Sequence, residues 1–175
     1  MDKTSKELLS LKISEREWAS IPFPPVIKTL INIVISRRRE DVKLFFMGTK
    51  RPFPESENMT PIANKAVNLS KELNLFDRSV FFNNGWVPYH ERHNYLLETD
   101  IGITTYEQTL ETHFSYRTRI LDYLWAEVPV VCNEGDSLSE MIYQKGLGIL
   151  LHDSNEKQLA DIILYFSFNY RVNKI

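Results

Sequence analysis

The chain has 175 residues, enough for one domain with a full core, and at 43% hydrophobic and 25% charged it has the composition of an ordinary globular protein. A formal net charge of −2 argues against a generally basic nucleic-acid binder, while leaving room for a local basic pocket. The single cysteine, Cys132, excludes an internal disulfide; no run reaches the roughly 18 apolar residues of a membrane span; and "MDKTSKELLSLKIS" has no secretory core, so a cytoplasmic protein is expected.

In chain order, "LLSLKIS" is a candidate first strand. Val26–Glu40 has helical apolar spacing, follows Pro24-Pro25 and ends in cations. "VKLFFMG" reads as a short, nearly continuous apolar strand. Thr60-Pro61 is an N-cap followed by a first-turn proline, and the helix it opens runs toward Leu75 with Ile62, Ala66, Leu69 and Leu73 on one face. Then come the strand "SVFFN", the helix "YHERHNYLLETD", the strand "IGITTY", the helix "RTRILDYLWAE" and the strand "VPVVC". The helix "LSEMIYQKG" closes on Gly146, "GILL" is a strand, and "SNEKQLADIILYF" is a last helix with Ser154 as its cap. Short, β-branched, continuously apolar strands suit burial on both faces of a parallel sheet. Repeated βα units joined by right-handed crossovers give an α/β fold, a doubly wound, Rossmann-like parallel sheet, over residues 1–175 as one domain.

Such a sheet binds ligands beyond the C-terminal ends of its strands. The loops there carry Lys50, Arg51, Trp86, Glu111, Arg117, Arg119, Glu134 and Asp136. In "ETHFSYRTRILDYLWAEVPVV" a helix starting near Ser115–Thr118 has free N–H groups and a positive dipole end, and Arg117 and Arg119 add charge beside it. That combination suits a phosphate or diphosphate, and Asp122, one turn further, could accept from a ribose diol. The alternative is an ordinary i,i+3 ion pair between Arg119 and Asp122. In "NEGDSLSE", Gly135 and Asp136 form a compact turn whose N–H groups face the ligand edge, or simply a βα turn with an Asp or Ser cap and Glu140 as a first-turn acid. Trp86, Val87 and Pro88 form either a stacking wall for a base or a hydrophobic staple onto the next helix. His90 and His93 in "HERH" have i,i+3 spacing and no clear third ligand, so a solvated helix face is expected and no metal site. "RRRED" reads as a cationic helix end, and His113 beside Glu111 is a proton-transfer candidate or a polar loop residue.

The order of residues over Val42 to Leu151 resembles the donor-binding half of group 1 glycosyltransferases, the retaining enzymes of GT-B type. The segments that carry it are "IGITTY", an acidic residue before a loop, "ILDYLWAEVPVV" and "EGDSLSE". The resemblance implies a single half of a GT-B fold that holds a nucleotide-sugar, UDP- or GDP-linked, as substrate and needs no other cofactor or metal. It implies that Asp122 binds the ribose hydroxyls and Glu111 lies near the donor sugar as the catalytic acidic residue. Ser115 and Tyr116 would offer N–H groups to the diphosphate, Arg117 or Arg119 would offset its charge, and Trp86 and Val87 would lie by the base. Gly135, Asp136 and Glu140 complete the expected site.

This sequence departs from the family in three ways. Ten residues separate Glu111 from Asp122, a wider spacing than the family's paired glutamates, and the second acid is shorter. The family's glycine is replaced by Glu127. No acceptor-binding domain is expected before Val42, so the chain reads as one half of a two-domain enzyme for polysaccharide or glycolipid synthesis, inactive alone and partnered by a separate N-terminal half, with at most peripheral membrane contact. The competing expectations are a non-catalytic interaction domain or relic that keeps the fold, and an unrelated flavodoxin-like binder of another phosphate ligand.

Overall fold

Six short apolar runs pair into one sheet. A computed structural model describes residues 9–14, 42–47, 61–83, 86–105, 110–114, 116–152 and 156–173. The strands are β1 (Leu9–Ser14), β2 (Val42–Met47), β3 (Val80–Phe82), β4 (Ile101–Thr104), β5 (Val130–Asn133) and β6 (Gly148–Leu151). Their order is β3-β2-β1-β4-β5-β6 and every pairing is parallel, as the alternation of strands and helices predicts. β1 pairs with β2 from Leu9↔Val42 to Ser14↔Met47, and with β4 at Leu11↔Ile101 and Lys12↔Gly102. The chain reverses its direction of travel across the sheet at β1/β4, so that gap is the topological switch point.

The helices are α1 (Pro61–Glu72), α2 (Arg92–Leu97), α3 (Leu110–Phe114), α4 (Thr118–Trp125), α5 (Ser137–Lys145) and α6 (Glu156–Asn173). They cover both faces. Ala63 and Ala66 of α1 and Leu159 and Ile163 of α6 pack with Leu44, Ile101, Ile103 and Val131 on one side. Ile120 and Tyr123 of α4 and Leu138 and Ile142 of α5 pack with Val130 and Cys132 on the other. β5 thus sends Val131 to one core and Val130 and Cys132 to the opposite one, which is why its run has no polar alternation.

Two elements differ from expectation. The helix expected over "YHERHNYLLETD" is a 3₁₀ turn at Tyr89–Glu91 followed by the six-residue α2. Leu110–Phe114, expected as loop, is α3; five residues are too few to show a 3.6-residue repeat. The helix expected over Val26–Glu40 and the caps expected at Thr60 and Ser154 lie outside the described residues.

Tyr123 fixes where α4 sits. It is fully buried, its hydroxyl donates to the Ile103 carbonyl at 3.4 Å, and its ring lies on Gly102 of β4. A Cβ built on Gly102 would stand 2.5 Å from the ring. Gly102 is therefore the site of a close helix–sheet approach, and the ring supplies the packing that the glycine lacks.

Three helices end in the same way. After α1, α4 and α5 the residues Asn74, Glu127 and Gly146 adopt φ of 55°, 57° and 64°. Each N–H returns to a carbonyl three residues back, and the next residue's N–H reaches back five: Leu75 to Ser70, Val128 to Tyr123 and Leu147 to Ile142. This is the Schellman closure, with an apolar residue just past the left-handed position each time. Glycine takes that conformation freely and asparagine tolerates it, but Glu127 pays a steric cost of about 1 kcal/mol. The position where the resembled family has glycine is thus one whose backbone favours glycine.

Two outcomes are expected in chemical denaturation. Gly102→Ala forces the Tyr123 ring off the strand and lowers stability by about 1–3 kcal/mol. Glu127→Gly relieves the left-handed strain and raises stability by about 0.5–1 kcal/mol.

Candidate functional site

The C-terminal ends of the strands carry the polar residues. Thr104 and Thr105 close β4 beside the switch point and are both buried. Thr105 Oγ1 has no hydrogen-bond partner among the described residues. A buried hydroxyl without a partner is uncommon and marks a place where a ligand or water could complete the bonding.

α4 follows β4 in the chain and packs on it through Tyr123. Arg117 is its N-cap, and its side chain makes no capping bond; no acid lies in the first turn. Cations at a helix N-terminus oppose the dipole, so this end holds more positive charge than a helix start normally tolerates. Arg119 is 7% exposed. Its guanidinium stands 3.8 Å from Asp122 Oδ2, so the i,i+3 pair is present, yet the buried Nε makes no hydrogen bond. The pair is thus long and leaves part of the guanidinium fork unused. Asp122 remains half-exposed on the same helix face, while Ile120 and Tyr123 face the core.

α5 starts differently. Asp136 is its N-cap, accepting from the Ser139 N–H at 2.8 Å while Ser139 Oγ accepts from the Asp136 N–H at 3.1 Å. This reciprocal cap satisfies two orphan donors. The second carboxylate oxygen of Asp136 stands 3.5 Å from Arg117 Nε, with both side chains at least nine-tenths buried. The cap in "NEGDSLSE" is therefore Asp136 rather than Ser137, and its carboxylate is turned inward. Gly135 is exposed at φ 117°, a conformation that side chains disfavour. Glu140 is exposed and accepts from Gln144 at 2.7 Å.

Beside this turn lies a cleft of ≈ 540 Å³, lined by His113, Phe114, Tyr116, Glu134, Gly135, Asp136, Ser137, Ser139, Glu140 and Leu150. Its size is that of a small-ligand site. Phe114 and Tyr116 are exposed aromatic residues at its rim. Glu134, at the end of β5, contacts His152 Nδ1 at 2.9 Å just past β6.

Trp86 and Val87 stand apart. β3 is three strands from β4, about 14 Å at the usual strand spacing. There Val87 is buried, as a staple would be, and Trp86 is 36% exposed with the Arg92 guanidinium 5.2 Å from its ring centre. The same guanidinium lies 5.6 Å from Tyr89. One face of Trp86 is therefore already occupied by a cation.

The structure thus brings Tyr116, Arg117, Arg119, Asp122, Gly135, Asp136 and Glu140 to one edge, with Trp86 and Val87 on the far side of the switch point. Glu111 falls within α3, but its side chain, like Ser115, Lys50 and Arg51, lies outside what is described. His90 and Glu91 are exposed and 3.7 Å apart. Among the described residues no three His, Cys, Asp or Glu side chains group as a metal site, and no helix is long and apolar enough to cross a membrane. Sequence reasoning missed Thr105; the signal available was a Thr-Thr pair ending the otherwise apolar "IGITTY".

No family model matches this chain, and no curated protein does. Solved structures do. HepE from Anabaena, in complex with UDP, superposes with a TM-score of 0.72 at 15% identity over 94% of this chain and 40% of that one. The fold is that of one GT-B domain. WaaG, a glycosyltransferase involved in lipopolysaccharide biosynthesis, matches with a TM-score of 0.67 at 16% identity over 93% of this chain. This chain spans 38% of the length of WaaG. The C-terminal domain of a group 1 glycosyltransferase, LpcC from Francisella tularensis, matches at 0.61 and 15% identity, over 88% of this chain and 72% of that domain.

The unpaired hydroxyl has a measurable consequence. Thr105→Val removes a buried polar group that has no bond to lose, so stability in urea rises by about 1 kcal/mol rather than falling.

Proposed function

We propose that this chain is the nucleotide-sugar-binding domain of a retaining glycosyltransferase acting in polysaccharide or glycolipid synthesis, working with a second domain that binds the acceptor. The observation that carries the proposal is the pair of buried arginines at the start of α4, at the strand-end edge where a doubly wound sheet takes its ligand. The likeness to a UDP-bound GT-B structure supports it.

In glycosyl transfer the bond between the anomeric carbon and the diphosphate oxygen breaks, and negative charge grows on the departing nucleoside diphosphate. Arg119, with an Nε that makes no hydrogen bond and a guanidinium already aligned by Asp122, stabilises that charge without reorganising. The positive dipole end of α4 acts in the same sense, although the Thr118 and Ile120 N–H groups are already bonded to the Tyr116 and Arg117 carbonyls. Asp122, half-exposed one turn on, accepts from the ribose hydroxyls. Glu111 takes the place beside the donor sugar that the resemblance assigns to it. Trp86, with one face backed by Arg92, offers its remaining surface to the base, next to Val87. Gly135 and Glu140 border the cleft on the sugar side. The donor is a UDP- or GDP-linked sugar, and transfer awaits the second domain, because half a cleft neither positions an acceptor nor excludes water.

Calorimetric titration of the purified chain with UDP, GDP and ADP, without metal, tests this. One of UDP and GDP binds in preference to ADP. Arg119→Met, which keeps the buried stem, lowers that affinity at least about tenfold. Asp122→Ala weakens binding of the nucleotide but not of its 2′,3′-dideoxy analogue. A folded chain that binds none of the three, or an Arg119→Met variant with unchanged affinity, overturns the proposal.

A further inference from the structure

α4 and α5 both begin at the ligand edge, and their first residues are tied together by one carboxylate. Asp136 Oδ1 accepts from Ser139 N–H and holds the start of α5. Asp136 Oδ2 faces Arg117 Nε at 3.5 Å, with the Asp136 side chain 1% exposed and that of Arg117 8%. These residues are nineteen positions apart, and Arg117 is the N-cap of α4, where the dipole repels it. A buried guanidinium in that position requires a nearby negative charge to stay in place. Asp136 is so enclosed that its carboxylate offers little surface to a ligand.

We propose that Asp136 is a positioning residue for anion binding: it does not touch the nucleotide, but orients the Arg117 guanidinium toward the diphosphate of a nucleoside-diphosphate ligand. The inference rests on the function proposed above and reassigns Asp136 within it. A carboxylate fixed by a helix cap draws the Arg117 guanidinium to one side by charge, without a hydrogen bond to Nε, whereas a long side chain on the surface would sample many directions. Asp122 is shared between Arg119 and solvent, so the Arg119 guanidinium keeps attraction for an anion at the same edge.

The test separates orientation from contact. Asn caps a helix about as well as Asp, so Asp136→Asn keeps the start of α5 and removes only the charge that faces Arg117. UDP and GDP affinities are measured for the native chain, D136N, R117M and the double variant. D136N lowers affinity at least about fivefold in the native background and has no further effect in the R117M background. Equal losses in both backgrounds show that Asp136 contacts the ligand or acts on the fold alone, and overturn the proposal. So does a D136N variant that binds as the native chain does. Where D136N does not hold its fold, D136E, which keeps the charge and moves it by one methylene, replaces it in the same cycle. A folded native chain that binds neither nucleotide overturns this inference together with the function it rests on; binding with additive losses overturns this inference alone.

Discussion

The contact between Tyr123 and Gly102 is the constraint from which the ligand edge is built. An α-helix laid on a parallel sheet normally stands off by the width of the side chains between them. Here one strand residue has no side chain, and the fully buried ring from α4 fills its place. The Schellman closure at Glu127 then returns the chain directly into β5, through Val128 N–H to the Tyr123 carbonyl. The same tyrosine thus sets the height of the helix by its ring and the end of the helix by its carbonyl. With one end of α4 determined, eight residues of helix place Arg117 and Arg119 at the opposite end.

Local signals made most of the fold legible. Five strands were visible as short apolar runs and β1 as an alternating one, and the proline at the start of α1 and the glycine at the end of α5 appeared as first-turn proline and left-handed cap. Once strands and helices alternate, the right-handed crossover leaves few arrangements, and the observed parallel order is one of them. Legibility failed where the signal was too short or ambiguous. α3 has five residues, and α2 follows a 3₁₀ turn that breaks the helical period. The end of α4 was hidden because glutamate occupies a backbone conformation that usually announces itself by glycine.

The site was legible in its residue types and less so in their pairings. Arg119 with Asp122 is an i,i+3 relation, visible from spacing alone. Arg117 and Asp136 are separated by α4 and β5, and no periodicity links positions that only the sheet brings together. The same holds for Arg92, which stacks on Trp86 across a turn whose course the sequence does not specify. Thr105 was overlooked for another reason. A threonine at a strand end is ordinary, and its interest lies in lacking a bond, which is a property of its surroundings.

The two helix starts at this edge differ in how their charges are met. α5 is closed by its reciprocal cap, with two of its orphan donors satisfied within the protein. α4 is left without a side-chain cap and is flanked by two cations that its own dipole disfavours. Such a start is stable because Ile120 and Tyr123 pack in the core and because Asp136 and Asp122 stand near the two cations. The protein therefore holds in its folded state an electrostatic arrangement that a short helix on its own would not keep. Under the proposed function, an anion that enters this edge meets charges already in place.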